Sequence, residues 1–248
     1  MTREPWHHAP IRPAAMPLAG RSGGAGKICL AAAPLAPRSG PIRDFRRARE
    51  LARSSLVRFL LSRGAPGTLR GSQEVKVFHD LHGKPRLSGP HPPYPAVSFS
   101  YGMNCLWGAV GEPGEHLGLD VTEAGEFSKG YPYHRIAAGE EWEYIKDRLG
   151  RDKSEAAALL WAAKEAAVKA LGCGYRGFGP LQVKLALKAE KAGVIFFCAN
   201  IDRATEAEFH GLAGASVAVA VWRHKSAWLA LGRTSKKSNH HSLNIHEA

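Results

Sequence analysis

Residues 161–172 read WAAKEAAVKALG, the last turns of an alanine-rich segment that begins near residue 154 and meets a glycine at 172. Alanine loses little on entering a helix, and glycine suits the left-handed C-cap, so the pattern predicts a helix over 154–171. Outward from it, LQVKLALKAEKAGVIFFCAN at 181–200 reads as a strand pair and ASVAVAVW at 215–222 as one further strand. The same order stands upstream: a basic helix over Ile42–Ser62 that stops at Gly64, a strand pair over 74–87 and a strand over 97–110. Helix, hairpin, strand therefore occurs twice. This predicts an α+β fold of two similar helix-plus-antiparallel-sheet halves, 41–117 and 118–232, related by a pseudo-twofold duplication. A cleft where such halves meet is the default ligand site. Residues 1–40, rich in Pro, Gly, Ala and Arg, are expected to be weakly ordered, with the run Ile28 to Ala33 a candidate strand inside them. The last stretch, 233–248, reads as a flexible tail.

The chain has 248 residues, of which 44% are apolar and 23% charged, so it can bury an ordinary globular core. No run approaches the roughly 20 apolar residues that cross a bilayer, so no membrane partner is expected. The N-terminus has no charged region followed by an apolar one, which speaks against a signal peptide. Cys29, Cys105, Cys173 and Cys198 are scattered without CxxC spacing. That argues against a zinc site or disulfide framework and for a reducing cytoplasm. A formal charge of +12 calls for an anionic partner: nucleic acid, anionic lipid, an acidic protein or a phosphorylated ligand.

At 100° per residue, Trp161, Lys164, Glu165 and Lys169 share an arc of about 140° of the helix. Leu159, Leu160, Ala163, Ala167, Ala170 and Leu171 cover the other side. Glu165 and Lys169 stand i,i+4 in the favourable order, a surface pair worth about 0.2–0.5 kcal/mol. A solubilising pair explains them by itself, except that Trp161 lies on the same side and tryptophan prefers a pocket. In HLGLDVTEAGE, 116–126, alternation makes a strand with Asp120 and Thr122 on one face and Glu123 at its end. An acid there is either a solvated turn residue or a hard-cation ligand.

Together the two segments carry Gly118-Leu119-Asp120-Val121 and, some 40 residues later, Trp161, Lys164, Glu165, Lys169 and Gly172 in W-x-x-K-E-x-x-x-K-x-x-G. Between them is GEEWEYIKDRL at 139–149, and upstream is Gly83-Lys84-Pro85. This set, in this order, resembles the 4′-phosphopantetheinyl transferases of the larger, pseudo-dimeric, monomeric kind, over residues 42–222. The resemblance implies transfer of the phosphopantetheine arm of coenzyme A to a serine of an apo acyl or peptidyl carrier protein, with Mg²⁺ as cofactor. It implies Asp120 and Glu165 as metal ligands, Glu165 as base, and Lys169 as partner of the departing 3′,5′-ADP. Lys164 would neutralise phosphate charge, while Arg49 and Lys84 would meet the nucleotide end of coenzyme A. Ser100-Tyr101 stands where the family has a Ser-His step, and Thr122 where it often has a second acid. Carrier domains are acidic around their serine, which accounts for part of the positive charge.

Other features carry less. Arg46, Arg47, Arg53 and Arg58 are either phosphate contacts or a basic solvated helix face. His79, His82, His91 and His116 form no ligand-spaced set, His240 and His241 sit in the tail, and RSGGAGK at 21–27 lacks the rest of a P-loop. One alternative is a weakened member of the fold that binds carrier or coenzyme A without turnover. Another is a basic nucleic-acid-binding protein, against which the spread of the basic residues counts.

Overall fold

A computed structural model describes residues 28–35, 42–62, 74–90, 92–127, 132–149, 152–175, 179–201 and 216–235. Its first half runs β1 (Cys29–Pro34), α1 (Ile42–Ser62), β2 (Lys76–His79), β3 (Pro85–Ser88), β4 (Pro95–Gly102) and β5 (Cys105–Pro113). The second runs β6 (Glu115–Glu123), α2 (Gly139–Leu149), α3 (Lys153–Leu171), β7 (Val183–Lys191), β8 (Val194–Ile201), β9 (Ser216–His224) and β10 (Ala227–Ser235). The fold is α+β. One sheet has the order β1-β5-β4, a second β6-β10-β9-β8-β7, and β2 pairs with β3, all antiparallel. In both halves the leading strand pairs with the last one, which pairs with the strand before it. The halves share that pairing, but β7 and β8 extend the second sheet whereas β2 and β3 form a pair of their own.

Three elements differ from expectation. The single strand over 97–110 is a hairpin, because Met103 and Asn104 take φ of 56° and 55° between β4 and β5. Two consecutive left-handed residues make the tight turn whose twist matches the strands, and Gly102 and Asn104 hint at it in the sequence. The run at Ile28 to Ala33 is ordered as β1, in register with β5 from Cys29↔Val110 to Pro34↔Cys105. The rest of 1–40 lies outside the described residues, apart from Leu35. Strand β10 was not expected at all. It extends to Ser235, beyond Arg233 where the tail was placed, and it lies between β6 and β9 with Ala227 to Leu231 buried.

Helix α3 begins at Asp152, whose side chain accepts from the Glu155 N–H at 2.8 Å, and ends at Gly172 with φ of 86°. Nearly all of it is core. From Ala156 to Ala170 only Trp161, Glu165 and Lys169 are partly open, one residue per turn on a single line. The broad polar face expected of a surface helix is absent. Alanines make this possible. Gly118 and Gly232 are directly paired on β6 and β10, and the α3 backbone rests on them. A Cβ on Gly118 would stand 1.9 Å from the Ala166 carbonyl oxygen, and one on Gly232 2.5 Å from it.

The halves are joined through serines. Ser98 and Ser100 alternate on β4, and their hydroxyls accept from the Leu119 N–H at 2.9 Å and the Val121 N–H at 3.2 Å of β6. Side chains thus replace a backbone ladder where β4 meets β6, and they bring Asp120 to the junction.

Candidate active site

Asp120 lies on the buried face of β6, 6% exposed, and both its oxygens are engaged. Oδ1 accepts from Lys169 Nζ at 2.6 Å and from Ser100 Oγ at 3.0 Å. Oδ2 accepts from Thr122 Oγ1 at 2.7 Å, as the strand alternation that puts 120 and 122 on one face requires. Lys169 Nζ also donates to the Leu119 carbonyl at 3.1 Å and lies 4.0 Å from Glu165 Oε2. One turn of α3 separates Lys169 from Glu165, so the close helix–sheet approach at Gly118 brings both beside Asp120. The Glu165 carboxyl is pushed up to about 7 by burial, opposed by Lys169 and reinforced by the charge of Asp120. It is a proton acceptor poised near neutrality.

Toward the first half, Lys169 faces a pocket of about 180 Å³. Its lining includes Arg53 of α1, His79 and Lys84 of the β2–β3 hairpin, His82, Ser98 and Gly172. Asp80 builds the hairpin turn by accepting from the His82 and Lys84 N–H groups at 3.0 and 2.9 Å, with Gly83 at φ of 79°. Lys84 is thereby aimed inward. Its Nζ donates to the Ala170 carbonyl at 2.7 Å, and burial pushes its ammonium down to about 8. Arg53 lies 3.1 Å from His79 Nε2; burial first, and then the Arg53 charge, lower the pKa of that imidazole. Arg49 and Arg53 stack at 4.0 and 5.5 Å from the ring centre of Tyr101. The Tyr101 hydroxyl is buried and has no hydrogen-bond partner among the described residues. A larger cleft of about 520 Å³ on the outer side of the hairpin shares Lys84 and Pro85 but reaches none of the three acid–base residues.

Asp120, Glu165, Lys169 and Ser100 thus converge; Lys84 and Arg53 line the adjoining basic pocket, and Tyr101 stacks with Arg49 and Arg53. Lys164 is placed elsewhere. It is fully buried, and its Nζ donates to Glu141 Oε2 at 2.8 Å and to the Pro180 carbonyl at 3.0 Å, away from the Asp120 group. Glu123 is also engaged elsewhere, accepting from the Met103 N–H and from Ser226 Oγ. Side chains of Arg46 and Arg47, and residues 21–27, 91, 240 and 241, lie outside what is described. Ser98 went unnoticed in the sequence, although its i,i+2 spacing from Ser100 places both hydroxyls on one strand face.

Among the described residues no three His, Cys, Asp or Glu side chains form a metal cluster. A hard divalent cation needs less from the protein: Mg²⁺ is commonly held by one or two carboxylates, with phosphate and water oxygens completing the shell. Asp120 and Glu165 fit that demand as an all-oxygen pair. Burial raises the Glu165 pKa first and the charge of Asp120 adds to it, and a bound cation would offset both.

Residues 116–221 match the sequence model of the 4′-phosphopantetheinyl transferase superfamily. No curated protein matches the chain. Among solved structures it is similar to the holo-[acyl-carrier-protein] synthase of Neisseria meningitidis, at 20% identity and a TM-score of 0.39. That likeness covers 49% of this chain and 98% of the other, and is too slight to bear on the reaction. The matched segment contains Asp120, Glu165 and Lys169, and it is over this part that the chain is similar to the superfamily.

Proposed function

We propose that the protein transfers the 4′-phosphopantetheine arm of coenzyme A to a serine of an apo carrier protein, giving holo carrier and 3′,5′-ADP. The convergence of Asp120, Glu165 and Lys169 beside a basic pocket carries this reading. Glu165, with its carboxyl near 7, takes the proton of the carrier serine hydroxyl. The serine oxygen bonds to the phosphorus that bears pantetheine, and the bond to the bridging diphosphate oxygen breaks. Lys169 neutralises the charge gained by that oxygen and can return a proton to it. Lys84, Arg53, Arg49 and the Tyr101 hydroxyl receive the phosphates of the nucleotide end, and the cationic wall favours an anionic ligand. Asp120 and Glu165 would hold Mg²⁺, which supplies charge neutralisation for the diphosphate. A cytoplasmic enzyme acting as a monomer on an acidic carrier completes the reading.

The protein is to be incubated with coenzyme A, Mg²⁺ and a panel of apo acyl and peptidyl carriers, and each carrier weighed by mass spectrometry. Phosphopantetheine addition to at least one carrier is expected; none on any carrier ends the proposal. Thr122, standing where a second acid is frequent in the family, favours one competing reading: a member that binds without turnover. Coenzyme A binding by calorimetry with no addition in the same panel is its signature.

A further inference from the structure

The contact between α3 and its sheet is close but smooth. Helix backbone rests on Gly118 and Gly232, and at these two points the helix presents Ala166, Ala167 and Ala170, its larger Leu159, Leu160 and Val168 being buried elsewhere in the core. Such a surface sets the distance between helix and sheet tightly, yet offers few knobs and holes to fix rotation about the helix axis. Rotation matters, because only one line of α3 opens toward the reaction centre. Polar side chains do this fixing. Near the N-terminus, Glu155 accepts from Trp228 Nε1 at 2.7 Å and pairs with Arg223. In the middle, Lys164 reaches Glu141 and the Pro180 carbonyl on the flank formed by α2 and the start of β7. Glu141 is anchored in turn: Oε1 accepts from the Leu185 N–H at 2.9 Å and Oε2 from the Ala138 N–H at 3.1 Å.

We propose that the Glu141–Lys164 pair is a rotational lock that aims Glu165 at Asp120, making both members positioning residues rather than phosphate contacts. Successive helix residues diverge by 100°, so holding Lys164 on one flank dictates where its neighbour Glu165 points. A fully buried ammonium, with carboxylate and carbonyl acceptors, tolerates no second orientation without leaving charge unpaired. The pair therefore supplies the specificity of orientation that an alanine–glycine contact lacks. This inference rests on the transferase reading for the consequence to catalysis, though not for the consequence to geometry.

The test uses the full chain labelled with 5-fluorotryptophan. Trp161, on the same line of α3 as Glu165 and packed against Phe127 and Tyr175 at 6.2 and 5.9 Å, reports rotation through its ¹⁹F line. That line is assigned with Trp161→Phe. The double variant Glu141→Leu/Lys164→Met removes the charges while filling the volume. With its melting temperature within a few degrees of the parent, it should shift or broaden the Trp161 line. Its kcat should fall at least tenfold, while KM for coenzyme A changes less than threefold. An unmoved line overturns the lock whatever the rate does, and a moved line with kcat within twofold overturns its role in catalysis. If the double variant does not fold, Glu141→Gln, which keeps the shape, is judged on the same readouts and thresholds. A parent that modifies no carrier defeats the transferase reading alone, and the ¹⁹F line then decides the lock.

Discussion

As the proposed base, Glu165 would serve the chemistry at a cost to stability, and the two are separable by pH. A free glutamate titrates near 4.3, whereas in the folded chain this one titrates at about 7. Between those values the folded chain keeps a proton that the unfolded chain has released. Stability therefore declines as pH rises across that window and levels off above it. Glu165→Gln should match the parent near pH 4 and exceed it by about 3–4 kcal/mol at pH 8, read from thermal unfolding at both values. A gain of equal size at both would mean that desolvation of the carboxylate is not the cause. The same substitution should lower transfer by about 10²–10⁴. In the parent with Mg²⁺ bound, the rate should climb with pH and level off below the metal-free value of about 7, since the cation stabilises the active carboxylate. The sequence paired Lys169 with Glu165 and, by resemblance, Asp120 with a metal ion, but it did not pair Lys169 with Asp120. It could not show that Thr122 and Ser100 hold Asp120 from both sides, since a strand pattern gives the face but not what lies opposite.

Among the elements, α3 is the one whose reading changed most. Alanine content and a capping glycine made its helicity and length legible, because these are local properties. Its surroundings were not legible. Lys164, Glu165 and Lys169 gave it the look of a solvated face, yet the helix is buried around all but one line. The decisive residues are Gly118 and Gly232, far from it in sequence and adjacent across β6 and β10. Gly118→Ala should destabilise by about 3 kcal/mol or prevent folding, since its methyl would meet rigid helix backbone rather than a yielding side chain. Denaturant unfolding measures this. A loss under about 1 kcal/mol would show that α3 can withdraw without penalty. The β4–β5 turn makes a similar point in reverse. Gly102 and Asn104 mark it, but an apolar run on both sides masked it, and only the pairing of Ser100 with Trp107 settles that two strands are present.

At the level of the whole molecule, the site exists because two halves meet. Lys84 from the first half reaches the Ala170 carbonyl in the second, and Ser98 and Ser100 hold β4 to β6. Ser98→Ala strands the buried Leu119 N–H and should cost about 1–3 kcal/mol, measured by denaturant unfolding; a neutral result would mean that another acceptor takes over. The charge of +12 belongs to this scale as well. Transfer to an acidic carrier should slow as salt is raised from 50 to 500 mM through a higher KM for the carrier, because screening weakens encounter between opposite charges. A KM unaffected by salt would leave the basic excess without a role in docking. Local propensity, period-2 and period-3.6 patterning and the repeated order of elements were written in the chain, and with them the α+β class; the acid–lysine set was legible only through the resemblance of its motifs to a family. Tertiary structure alone decided where each charge goes: Lys169 lines the pocket with Glu165 beside it, while Lys164, next to Glu165 in the chain, is committed to Glu141. The reason is physical: a helix turns 100° per residue, and the direction in which it is locked depends on contacts that no local stretch of sequence contains.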